Sequence, residues 1–226
     1  LFIAYIISPE IYPLKRVYPA EYANMSTYER SKYANGKLKY PDAKSIFDAF
    51  DRLQPGSNDY HVIKKIFPND SKVIFLGDYH SSIHALIDTL IDLKNKGYFN
   101  NYWVLEKDCY LVVTGDMVDR GPYGIEIIYL LFLLFLNNNK EEYRFFIING
   151  NHEEPSTYAN YGLSLEIENQ FKLDSSKKSF EELLTKLPVA LFLKSDKEDS
   201  KWYQFCHGGI DFQQYGDNDR ITSFLK

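Results

Sequence analysis

Tyr110-Leu111-Val112-Val113-Thr114-Gly115-Asp116-Met117-Val118-Asp119-Arg120-Gly121-Pro122 joins an apolar run to a polar loop bounded by glycines. The β-branched and aromatic content of 110–113 predicts a buried strand, and Asp116 then leaves that strand at its C-terminal end. In α/β sheets ligands gather at that end. Within a few positions the loop offers two carboxylates, Asp116 and Asp119, and the guanidinium of Arg120. Gly115 and Gly121 let the backbone turn sharply and come close to a ligand. Such a loop suits a metal and a phosphate.

Three other stretches have the same build. Val73-Ile74-Phe75-Leu76 runs into Gly77-Asp78-Tyr79-His80, and Phe145-Phe146-Ile147-Ile148 runs into Asn149-Gly150-Asn151-His152-Glu153. Further on, Trp202-Tyr203-Gln204-Phe205-Cys206 runs into His207-Gly208-Gly209. Four predicted strands therefore each deliver oxygen or imidazole ligands at their ends.

These blocks, GDYH at 77–80, GDMVDRG at 115–121, GNHE at 150–153 and HGG at 207–209, resemble in sequence order the signature of the PPP family of metal-dependent phosphoesterases. The best-known members of that family are serine/threonine protein phosphatases. Leu187-Pro188-Val189-Ala190 also resembles the family's LP-x-A segment. The resemblance covers roughly 72–210. It implies a calcineurin-like α/β/β/α sandwich of two mixed sheets placed face to face, with helices outside and the site at the loop-bearing edge.

For activity, the resemblance implies hydrolysis of phosphate monoesters on a phosphoprotein, with direct attack on phosphorus by hydroxide held between two divalent cations. Mn is foremost, with Fe or Zn as the others, because mixed carboxylate, amide and imidazole ligands suit these metals. One metal would take Asp78, His80 and Asp116, the other Asp116, Asn151 and His207. Asp116 would bridge them. His152, paired with Asp119, would protonate the leaving group, Arg120 would grip phosphate oxygens with its planar fork, and Glu153 would orient the loop. Serine/threonine esters are the expected substrates, with phosphotyrosine open through the divergent bacterial effector-type members. The rival readings are a dinucleoside polyphosphate hydrolase and a weakened module that binds phosphoprotein without turning it over.

The sequence departs from the family at two places. Ser81-Ser82 stands where the family has Gly after the histidine, which adds bulk beside a metal. Little chain follows Gly209, and no histidine or motif-borne arginine in it supplies the family's later metal ligand and second phosphate-binding arginine. The expectation is a piece of a longer chain, with the C-terminal part of the fold missing.

Composition narrows the class. In 226 residues, 45% hydrophobic and 25% charged content predicts one sizeable core. A net charge of -5 argues against nucleic acid as the main partner. Ile127 to Leu136 is apolar throughout but spans only ten residues, against roughly 20 for a bilayer span, so a buried crossover helix is expected. Cys109 and Cys206 lie in apolar runs, and neither is followed six residues later by the arginine of a cysteine phosphatase. They read as buried thiols in a cytoplasmic protein, or in one delivered into a host cell if it is an effector.

Residues 1–71, broken by Pro9, Pro13, Pro19 and Pro41, read as an extension wrapping a core at 72–226. Within it Ser26-Thr27-Tyr28-Glu29 fits a capping box, and Ala43 to Leu53 reads as an amphipathic helix. His61 reads as structural, as does His84 in the helix predicted from Ser82 to Lys96 and closed by Gly97. Lys94 to Asp108 reads as an inserted polar loop, and Tyr123 to Asn139 as the long buried helix. Glu141 to Ile148 reads as the third strand. Ser179-Phe180-Glu181-Glu182 reads as a capping box opening a short helix that ends at Leu187-Pro188.

Overall fold

The strand at the centre of the quoted stretch, Cys109–Val113, is buried at every position. It is covered on both faces, which is why its sequence runs apolar without alternation. In chain order, a computed structural model of the protein describes residues 62–170 and 174–208. Its elements are β1 (Val62–Phe67), β2 (Lys72–Leu76), α1 (Ile83–Asn95), β3 (Cys109–Val113), α2 (Gly124–Asn138), β4 (Phe145–Ile147), α3 (Pro155–Tyr161), α4 (Leu163–Gln170), α5 (Asp174–Leu184), β5 (Ala190–Ser195) and β6 (Tyr203–Phe205). The expectations for Ser26–Glu29, 43–53, His61 and the chain after Gly208 lie outside the described residues.

β2, β3 and β4 form one sheet in that order, all parallel, with Phe75 opposite Val112 and Val112 opposite Phe146. Each step is made by a crossover helix, which parallel neighbours require. The second sheet runs β1-β5-β6; β1 and β5 are parallel, and β6 returns antiparallel to β5 after a short turn. The expected pair of sheets is present, and among the described residues the mixing of strand directions is confined to the second. Tyr110, Val112, Phe146 and Ile148 from the first sheet meet Ile63, Leu191 and Leu193 from the second. On the other face Leu111, Val113, Phe145 and Ile147 pack with the helices.

α2 is apolar almost all round because it is enclosed almost all round. The first sheet lies on one side of it, and Tyr158, Leu163, Ile167 and Phe180 belong to the same core. No helix among the described residues is long and apolar enough to cross a membrane.

β1 corrects one boundary. Residues 62–67 fall in the sequence-predicted extension, yet they pair along their whole length with β5, from Val62↔Ala190 to Phe67↔Ser195. Two lysines hide this strand's pattern. Lys65 lies 5.7 Å from the centre of the Tyr110 ring and donates to Glu142 at 3.3 Å, so its stem covers apolar surface while its ammonium reaches a charge. The predicted capping box at Ser179 is also corrected, since α5 begins at Asp174 and places that residue inside the helix. The mixed stretch after Pro155 is two helices broken at Gly162, whose φ of 124° stops the first.

The 97–108 loop is tied down by the asparagines that end α2. Asn138 Oδ1 accepts the Leu105 N–H at 2.6 Å, and its Nδ2 donates to Trp103 O at 3.0 Å and Leu134 O at 2.8 Å. Asn139 Oδ1 accepts from Arg144 and Phe145, both at 2.9 Å. Asn138→Ala leaves the buried Leu105 N–H without its partner, so it should lower stability by about 1–3 kcal/mol in urea unfolding, with the site's chemistry unchanged.

Candidate functional site

The loops after β2 and β3 are built from unusual backbone. Six of the eight non-glycine residues with positive φ among the described residues are Asp78, His80, Ser81, Asp116, Asp119 and Arg120. Such strain persists only where the surroundings overdetermine it, and it gathers at functional sites. Here hydrogen bonds between loops hold it: His80 N–H to Asp116 O at 3.0 Å and Ser81 N–H to Met117 O at 2.8 Å. Glu153 is the clasp. Its buried carboxylate accepts the N–H groups of Asp116 (2.9 Å), Met117 (2.8 Å) and Gly150 (2.8 Å), the orienting role expected from the sequence. Gly115 and Gly150 let the two loops touch, because a Cβ at either would overlap the other's backbone neighbourhood. Glu153→Gln puts amide hydrogens against backbone donors. The expected cost is about 1–3 kcal/mol in thermal or urea unfolding, together with weaker metal binding in calorimetric titration.

Asp116 is the hub. Its Oδ2 lies 3.5 Å from His80 Nε2 and its Oδ1 lies 3.2 Å from His207 Nε2. His207 Nε2 is also 3.2 Å from Asn151 Oδ1, and His207 Nδ1 is 3.8 Å from Asp78 Oδ1. Two groups of ligand atoms, His80, Asp116 and His152 in one and Asp78, Asp116 and His207 in the other, each lie within 4.8 Å of one another. Asp78 thus falls in with His207, where the sequence reading assigned it with His80, and both groups share Asp116.

Proton placement tests whether cations fit. His80 Nδ1 faces Val118 O at 3.2 Å and His207 Nδ1 faces Thr114 O at 3.0 Å, so each ring donates to a carbonyl from Nδ1. Nε2 of each faces carboxylate or amide oxygen, the place where a proton or a cation would sit between them. A ring tied by one nitrogen to a main-chain carbonyl, with the other presented to a cation, is how metal-binding histidines are held. Burial lowers the His80 pKa, against the pull of the Val118 carbonyl, which favours the neutral ring a metal requires. The donor set fits divalent cations.

His152 is engaged differently. Its Nδ1 donates to Asp119 Oδ2 at 2.8 Å, and Arg120 Nη2 lies 3.0 Å from its Nε2. A guanidinium can only donate, so Nε2 accepts and the single ring proton sits on Nδ1. Both ring nitrogens of His152 are thus taken up by Asp119 and Arg120. Asp119 is wholly buried, and its Oδ1 accepts the Leu163 N–H at 2.9 Å. Burial pushes its pKa up, against the pull of His152 and of that N–H. Two neighbours that the sequence did not flag are Tyr161, edge-on to His152 with ring centres 5.2 Å apart, and Glu166, which accepts the Gly124 N–H at 2.8 Å. Both lie in the stretch after Pro155, whose mixed periodicity carries no signal for either.

Residues 71–225 match the family model for calcineurin-like phosphoesterases. The chain belongs to this calcineurin-like phosphoesterase family. Among its relatives, the serine/threonine-protein phosphatase PP2A-like PPG1 of Candida albicans is 31% identical over 141 residues, covering 62% of this chain and 29% of that protein. The mouse serine/threonine-protein phosphatase with EF-hands 1 is 30% identical over 167 residues, covering 73% of this chain and 22% of that protein. These relatives bear out the resemblance to the PPP phosphatases read from the four blocks. A solved Saccharomyces cerevisiae serine/threonine phosphatase, described as similar to human PP5, superposes with a TM-score of 0.61 at 20% identity over 93% of this chain and 54% of that one. It shows the fold. The phosphoesterase chain spans less than a third of the length of the two curated relatives.

Proposed function

We propose that this phosphoesterase chain carries the catalytic centre of a metal-dependent phosphoprotein phosphatase acting on phosphate monoesters. The observation that carries this reading is the gathering of His80, Asp78, Asn151 and His207 about Asp116, with the His152–Asp119 pair and Arg120 beside them. Asp78, His80, Asp116, Asn151 and His207 would hold two divalent cations. When bound, such a pair supplies an acidified water as nucleophile and offsets phosphate charge.

The chain's own residues supply the rest. Arg120 now donates to His152 Nε2; a phosphate dianion is a stronger acceptor and would draw the guanidinium away into a two-point grip. That motion uncovers Nε2 at the moment substrate arrives. His152 then takes a proton from solvent on Nε2 and passes it to the leaving oxygen, while Asp119 holds Nδ1–H and stabilises the imidazolium. The names of the relatives support phosphoserine and phosphothreonine in proteins as the substrates.

The deciding experiment is turnover by the Mn-supplied protein of phosphoserine, phosphothreonine and phosphotyrosine peptides, set beside a dinucleoside tetraphosphate. Peptide dephosphorylation is expected; preference for the dinucleotide, or phosphopeptide binding without turnover, overturns the proposal. Within the same assay Arg120→Ala should raise KM for p-nitrophenyl phosphate by about ten-fold or more. An unchanged KM would remove Arg120 from the phosphate.

A further inference from the structure

Ser81 is costly where it stands. Its φ is 61°, a left-handed region that non-glycine residues enter only at a cost. Its side chain is wholly buried and its hydroxyl has no hydrogen-bond partner. Glycine would avoid each of these costs. Glu166, on α4, is wholly buried too. Its Oε2 accepts the N–H groups of Gly124 (2.8 Å) and Ile125 (3.3 Å) at the start of α2, while its Oε1 has no hydrogen-bond partner.

Both orphaned atoms lie against Gly124. A Cβ there would stand 3.0 Å from Ser81 Oγ and 3.2 Å from Glu166 Oε1. The hydroxyl and the carboxyl oxygen are therefore no more than about two hydrogen-bond lengths apart, a span that one buried water closes. The neighbouring loop is just as tight, since a Cβ on Gly121 would meet Ser81 Cβ at 3.0 Å and His80 O at 3.1 Å.

We propose that Ser81 and Glu166 form a buried interlock, bridged by one water, that holds the His80 loop against the start of α2 and so positions His80 relative to Arg120. Its part in the reaction rests on the phosphatase reading; the interlock itself does not. Burial, with Glu126 and Asp119 as the charged groups facing it, holds the Glu166 carboxyl well above the usual range. Oε2 is occupied by two N–H groups, which leaves Oε1 as the oxygen turned to the bridge.

The sign of one substitution separates this from a merely tolerated serine. If the hydroxyl contributes nothing, Ser81→Gly relieves backbone strain and raises the urea midpoint. The interlock predicts the opposite, a fall of about 0.5–1 M. Ser81→Ala should also lower the midpoint, and that loss should vanish in a Glu166→Leu background, because the bridge is already gone. If Glu166→Leu does not fold, the swap Ser81→Gly with Gly124→Ser returns a hydroxyl to the same space from the other wall and should recover half or more of the lost midpoint.

A higher midpoint for Ser81→Gly, an undiminished Ser81→Ala loss beside Glu166→Leu, or a swap no better than its parts overturns the interlock. For positioning, Ser81→Gly should lower kcat on p-nitrophenyl phosphate with Mn by about ten-fold, and the swap should restore it; shifted midpoints with unchanged kcat overturn that role. A wild-type protein that turns over no ester overturns the phosphatase reading, while the urea arms still decide the interlock.

Discussion

Asp116→Ala should abolish tight binding of Mn and lower phosphomonoester turnover by about three orders of magnitude or more. The size follows from sharing: one carboxylate serves His80 through Oδ2 and His207 through Oδ1, so its loss opens both ligand groups together. The same oxygen that faces His207 also accepts the His152 N–H at 3.1 Å, so the general-acid loop loses an anchor as well. Changing a residue that merely supports a ligand commonly costs 10–100-fold, and removing a shared ligand costs more. Asp116→Asn separates charge from shape, since it keeps an acceptor for His152 but halves the site's anionic character. Calorimetric titration with Mn checks both variants. Two equivalents bound by Asp116→Ala at wild-type affinity would end the account of a paired metal centre.

The second large effect depends on the substrate. His152→Ala should cost about 10²–10⁴ in kcat on phosphoserine peptides, whose alkoxide must be protonated as it leaves, and far less on dinitrophenyl phosphate, whose leaving group needs no proton. The loss should therefore grow steadily with leaving-group pKa across a series of esters. Asp119→Asn should follow the same trend with a smaller amplitude, because an amide can still meet Nδ1–H with its oxygen but cannot stabilise the imidazolium. Equal losses on good and poor leaving groups would assign His152 to holding the loop, the job that Glu153 performs next to it.

Much of this site was legible without coordinates because ligand blocks are local. Three of them follow the parallel strands β2, β3 and β4, whose ends deliver them to one edge whatever the connecting helices do, and His207 follows β6 of the second sheet. The helices were legible for a similar reason. The apolar faces of α1 and α2 repeat at close spacing, and the buried run of 127–136 has no other length-compatible home.

Less was legible where a residue's role depends on something remote in the chain. Lys65 masks β1, because its stem finds a tyrosine and its ammonium a glutamate that the local pattern does not announce. The asparagines ending α2 read as a helix stop, but they are the clamps of the 97–108 loop. Glu166 reads as one more polar residue in a mixed helix, yet its carboxylate caps the start of α2.

The chain's order of residues determined on its own which groups sit at strand ends, that the core is α/β, and which family the protein belongs to, since these follow from short-range pattern. Only the tertiary structure decided that His152 gives both ring nitrogens to Asp119 and Arg120, that Asp78 lies with His207, and that β1 completes the second sheet. Those facts rest on distances between residues far apart in sequence, set by how two sheets and their loops pack, and no local spacing encodes them.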